Sequence, residues 1–125
     1  MAERTHNFVE TTQRKIRVVA GSFAPDSGNA PTTLRGKDFS VVHTAQGVFT
    51  LTFTEPHGQL ISATATVQLA AADDRTAQIG TYTAADKTLV IRVGDGAGAG
   101  AEQDIAANAN NRVNFICVFD DSLTV

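Results

Sequence analysis

GVFTLTFTEPHGQLISATATVQLAAA, residues 47 to 72, holds one formal charge, Glu55, and that charge stands beside Pro56 near the middle of the stretch. In its first half Phe49, Leu51 and Phe53 recur at every second position, with Val48, Thr50, Thr52 and Thr54 around them. In its second half Ile61, Ala63, Ala65, Val67 and Leu69 alternate with Ser62, Thr64, Thr66 and Gln68. A period of two places each set on one side of an extended chain, so the stretch predicts two strands about a turn at TEPHG. Apolar matching selects a hairpin register with Phe53 opposite Ile61, Leu51 opposite Ala63 and Phe49 opposite Ala65, because a slip of one residue mixes every apolar pair with a polar one. Thr50, Thr52, Ser62, Thr64 and Thr66 then form a hydroxyl ladder on the second face.

The same period recurs outward in both directions. RKIRVVAGSFA and DFSVVHT read as strands, and TAQG turns the second of them into GVFTLTFT. Between them PDSGNAPTTLRGK, rich in Pro, Gly, Ser and Asn, reads as irregular chain or an arm. AADD turns into RTAQIGTYT, with Ala77, Ile79 and Tyr82 along it, and AADK leads to TLVIRV, where Leu89, Ile91 and Val93 share a face. GDGAGAG reads as a loop, EQDIAANAN as a short helical turn capped by Asp104, and RVNFICVF as the closing strand. Strands at roughly ten-residue spacing predict an all-β chain, an antiparallel β-sandwich or jelly-roll-like barrel of about seven to eight strands. The expected organisation is an N-terminal arm over residues 1–13 and a single sandwich domain over 14–125.

A chain of 125 residues buries roughly two-thirds of its unfolded surface in one core without disulfides. Its charged fraction is 18%, against roughly a quarter in an average soluble domain. Trp is absent and Tyr82 is alone, so seven Phe residues supply the aromatic core. The N-terminus MAERTHNFVETTQRK has no apolar signal-like run, and no stretch approaches a membrane span.

Chemistry-bearing motifs are sparse. Cys117 alternates with Val113, Phe115 and Phe119, which predicts a buried, inert thiol. GDGAGAG lacks the Lys and Ser/Thr of a phosphate-binding loop. His6, His43 and His57 have no metal-site spacing, and the acidic pairs Asp73-Asp74 and Asp120-Asp121 do not follow a calcium-loop pattern. The expectation is therefore no catalytic residues, no metal and no cofactor.

Charge is more informative in its distribution than in its net value of −3. Residues 1 to 37 carry six basic groups (Arg4, Arg14, Lys15, Arg17, Arg35, Lys37) and three acidic ones, giving +3; the rest carries four basic and ten acidic groups, giving −6. A basic front on an acidic body suits docking on an acidic protein neighbour or another copy, while the overall sign and the lack of interleaved aromatics and basics disfavour nucleic acid. Arg14, Lys15, Arg17, Arg35 and Lys37 are the candidate partner-binding residues. Thr50, Thr52, Ser62, Thr64 and Thr66 are the candidate oligomer or shell interface, since hydroxyls pack against a neighbour with less desolvation cost than charges.

GVFTLTFT, the small-residue strand LISATATVQL and the closing DIAANANNRVNFICVF together resemble small virion structural proteins of tailed bacteriophages, in particular capsid decoration, or cement, proteins. The resemblance runs over roughly residues 34 to 119 and is compositional, so it transfers no individual site residue. It implies a compact β-sandwich, made in the host cytoplasm, that ends on the virion exterior as a homo-oligomer, a trimer first and a dimer second. The implied partner is the major capsid protein. A trimeric tail or fibre component with a binding tip near Gly94 to Gln103 is the alternative.

Overall fold

A computed structural model describes residues 16–25, 31, 34–71, 74–95, 105 and 110–120. They form eight strands: β1 (Ile16–Phe23), β2 (Leu34–Gly36), β3 (Phe39–Ala45), β4 (Val48–Phe53), β5 (Gln59–Gln68), β6 (Arg75–Thr83), β7 (Thr88–Asp95) and β8 (Arg112–Asp120). Two four-stranded sheets result, a first in the order β2-β1-β8-β5 and a second in the order β3-β4-β7-β6. Every paired neighbour is antiparallel. The fold class is all-β, and of the two architectures expected the chain adopts the sandwich.

The hairpins β3–β4 and β6–β7 form where the turn residues placed them. The hairpin expected between β4 and β5 does not form. β4 pairs with β3 and β7, β5 pairs with β8, and the two strands lie in different sheets. Ala63 and Ala65 stand opposite Cys117 and Phe115 instead of Leu51 and Phe49, and Ile61, expected opposite Phe53, falls in the irregular step between Leu60 and Ser62. The connection TEPHG is an arch from one sheet to the other, and its filling explains why it does not close as a turn. His57 is buried at its crest, its ring stacked on Phe119 at 4.4 Å and set edge-on to Phe53 at 5.4 Å. The Tyr82 hydroxyl donates to the carbonyls of His57 and Gly58 at 3.0 and 3.1 Å, tying the arch to β6.

Alternation correctly sorts most inward residues. Phe49, Leu51 and Phe53 on β4, Leu89, Ile91 and Val93 on β7, and Val113, Phe115, Cys117 and Phe119 on β8 are buried. Alternation alone does not sort two strands, since RKIRVVAGSFA sets Ile16, Val18 and Ala20 against Arg17 and Val19 with apolar residues on both sides, and β5 is irregular. On β1 the buried set is Val19 and Phe23, which leaves Val18 and Ala20 on the outside. On β5 the register shifts between Leu60 and Ser62, so Leu60 packs against the core while Ile61 is half exposed. A bulge of this kind adds one residue and reverses the alternation behind it.

Aromatic contacts across the layers hold the sheets together. Phe23 of β1 meets Phe49 of β4 at 5.1 Å, and Phe115 of β8 meets Phe39 of β3 at 4.9 Å. Phe119 of β8 meets Phe53 of β4 at 5.3 Å and Tyr82 of β6 at 5.5 Å. Such tilted and edge-on pairs contribute about 0.5–1.5 kcal/mol each beyond area burial.

Cys117 sits inside this layer with no exposed surface, and burial pushes its thiol up from 9.0 to about 12. Below about pH 9 the thiol is neutral both folded and unfolded, so it adds no pH dependence there. Between about 9 and about 12 the unfolded chain has released a proton that the native state retains, and stability falls as pH rises. Urea midpoints followed over that range are expected to fall more steeply for the native chain than for Cys117→Ala. Equal slopes would show that the thiol is not held in its neutral form by burial.

Candidate interaction face

The outer face of the first sheet is built of rows that run across β1, β8 and β5. Val18, Val118 and Ser62 form one row, Ala20, Ile116 and Thr64 the next, and Ser22, Asn114 and Thr66 a third. Val18 is 45% exposed, Ile116 44% and the bulged Ile61 50%. Four of the five large exposed hydrophobics among the described residues belong to this sheet, and three of them, Val18, Ile61 and Ile116, lie on its outer face, Leu34 standing beside the inward Phe23 at the β2 edge. No Asp, Glu, Lys or Arg occupies these three rows; Arg35, paired with Ser22, extends the last of them at the rim. Single exposed apolar residues are ordinary on protein surfaces, whereas a grouped set with a polar border marks a contact site.

Below Ser22 the rim is built differently. Arg112 is 2% exposed, and its Nε donates to the Ser22 hydroxyl at 3.0 Å. Burial first, and the neighbouring Arg35 charge second, lower its pKa. At the opposite end Asp120, opposite Ile16 and Gln59, is also buried. Charged groups thus bracket the face and stay off its centre.

The candidate interface hydroxyls do not make one ladder. Ser62, Thr64 and Thr66 belong to the first sheet, and Thr50 and Thr52 to the second. The cause is the arch at TEPHG, which sends the two strands to opposite layers. Thr52 stands in a row with Ser40 and Thr88, and the Thr50 hydroxyl lies 2.7 Å from that of Thr44. Arg92 flanks this row beside Val48 and Gln78, and a side chain at Gly80 would collide with its guanidinium. The two outer surfaces differ in degree: the first groups Val18, Ile61 and Ile116 among hydroxyls, while the second sets exposed Val42 and half-buried Val90 on either side of Thr50, among hydroxyls and beside Arg92.

The candidate basic residues are also dispersed. Arg14 and Lys15 lie outside the described residues. Arg17 belongs to β1 and bonds to Glu55 of the arch at 2.7 Å. It is part of the sandwich, and an exposed pair of this kind adds about 0–1 kcal/mol to stability. Arg35 and Lys37 are exposed at the β2 edge. The span from Ile16 to Lys37 thus includes the interior strand β1, where RKIRVVAGSFA reads as a strand, and the edge strand β2, which lies inside the stretch PDSGNAPTTLRGK that reads as irregular chain or an arm. The proposed tip at Gly94 to Gln103 and the helical turn near Asp104 fall mostly outside the described residues; of EQDIAANAN, Ile105 lies in the core and Asn110 is exposed.

No metal-holding group of His, Cys, Asp or Glu occurs among the described residues. The apolar face itself had a signal in the sequence. IRVVA and FICVF carry apolar residues at both parities, so each strand has two sides to bury, and a four-stranded sheet in a two-layer sandwich can bury only one. Comparisons with protein-family models, with curated proteins and with solved structures give no match.

Proposed function

We propose that this chain is a capsid decoration (cement) protein that docks on the outer surface of a phage head and stabilises the shell. The observation that supports the reading is the charge-free centre of the first sheet's outer face, with Val18, Ile61 and Ile116 set among Ser62, Thr64 and Thr66. The sequence resemblance directs this face to the major capsid protein. Its work is mechanical: covering half-exposed isoleucine and valine gains about 25 cal/mol per Å² of apolar area, and many copies add contacts that must break before the shell opens. Neither catalysis nor a cofactor enters the mechanism. Exposed Arg35 and Lys37, with Arg14 and Lys15 before β1, supply a basic fringe that steers the approach to an acidic shell surface.

Co-sedimentation with empty shells of the phage that encodes the chain tests this. Native protein is expected in the pellet, and Ile116→Glu is expected to weaken binding at least about tenfold, since a charge at the centre of a dry interface is left unpaired. Changing Arg14, Lys15, Arg35 and Lys37 to Gln is expected to flatten the salt dependence. Native protein that stays in the supernatant, or Ile116→Glu that binds equally well, overturns the proposal.

A further inference from the structure

We infer that β5 pairs with the β5 of a second copy of this chain, antiparallel across a two-fold axis, so that the first sheet continues from one molecule into the other. Among the described residues the sandwich is unfinished on this side. β5 ends the first sheet and β6 the second, and their inward residues Leu60, Ala63, Ala65, Val67, Ala77 and Ile79 pack on the core yet stay only partly buried. Along the β8 and β7 strands beside them, the inward residues are fully covered. A row of apolar residues that thins to half-burial at an open edge is completed by a neighbour offering the same pattern.

The four edges are unequal, and the inequality selects the occupant. β2 spans three residues and carries Arg35 with Lys37 beside it, so pairing it with itself sets like charges together. β3 is interrupted between His43 and Ala45, and β6 between Ile79 and Tyr82, with Arg75 at its start. β5 is the longest, at ten residues, and has no Asp, Glu, Lys or Arg. Its one irregularity lies at Ile61, leaving Ser62–Gln68 regular. A natural sheet edge is normally blunted by charge or shortness, and this one is not.

Pleating then fixes the register. In a two-fold antiparallel pair the axis must pass through a residue, because an axis between residues would set each inward side chain against an outward one. Ala65 is the midpoint of the regular stretch. An axis there sets Ala63 opposite Val67 on the inner side, and Thr64 opposite Thr66 and Ser62 opposite Gln68 on the outer side. Apolar groups meet apolar groups, hydroxyls meet hydroxyls, and no charge is desolvated. Of the two oligomers implied by the sequence resemblance, the edge geometry points to the dimer.

Sedimentation velocity of the purified chain without shells tests the pairing. The native protein is expected as a discrete dimer, and the double variant T64K/T66K, which sets lysines opposite lysines across the axis, as a folded monomer with unchanged strand content by circular dichroism. Should that variant unfold, amide exchange on the native chain decides. The outward-pointing amides of Ser62–Gln68 are expected to slow as concentration rises, while the other edges keep their rates. A native monomer at every concentration tested, a trimer, a T64K/T66K dimer, or β5 exchange independent of concentration overturns the pairing. The outcome is separate from that of the shell assay. A dimer that ignores shells leaves this inference standing and removes the decoration reading, and a monomer that binds shells does the reverse.

Discussion

Phe119→Ala is expected to cost about 3–5 kcal/mol, a large part of the roughly 5–15 kcal/mol that holds a domain folded. The ring has no exposed surface and touches Phe53 of β4, the arch residue His57, and Tyr82 of β6. Its ring reaches two strands of the second sheet and the connection between the layers. Removing it leaves a cavity with rigid aromatic walls, and the flanking Cys117 and the small Ala63 beyond it offer little to collapse inward. Phe119→Leu keeps most of the volume and is expected to cost less than half as much. Urea denaturation of the two variants checks this. A Phe119→Ala penalty below about 1 kcal/mol would mean that the arch and β6 hold their places without the ring.

The position of Phe119 also shows what the sequence could convey. Alternation in RVNFICVF, TLVIRV and GVFTLTF identified which residues face inward, because burial of one face is a local property of a strand. Which strands pair is not local. Phe49, Leu51 and Phe53 against Ala63 and Ala65 is a favourable match of bulky with small, and two strands of opposite sheets satisfy the same apolar pattern as a hairpin does. The deciding fact is His57, which turns TEPHG into a filled arch, and its burial depends on Phe119, more than sixty residues later in the chain. The consequence for the interface was direct. The ladder of five hydroxyls divided between two outer faces, while Val18 and Ile116, taken with the strands that supply the core, emerged as the centre of the exposed patch.

Gly21→Val is expected to destabilise by about 1–3 kcal/mol, against the gain that strand propensity alone would forecast for valine over glycine. A Cβ at Gly21 would lie 2.5 Å from Cε1 of Phe39 and 2.7 Å from the Arg35 carbonyl oxygen. Gly21 stands opposite Gly36, whose φ is +110° and whose own Cβ would lie 2.6 Å from the Ala20 carbonyl. β1 and β2 therefore approach glycine against glycine, with the Phe39 ring laid over them and its other side edge-on to Phe115. The ring has room to yield only by leaving Phe115, and the Arg35 carbonyl only by drawing β2 away from β1. Combining Gly21→Val with Phe39→Ala is expected to cost less than the sum of the separate changes, because the first has already displaced the ring that the second removes. A strictly additive pair in urea denaturation would place the strain entirely in the β1–β2 backbone contact. Either way the loosened element is the short, basic strand that guards the edge of β1. Its loss is expected to expose a second long edge and to turn a closed two-fold association through β5 into open-ended aggregation.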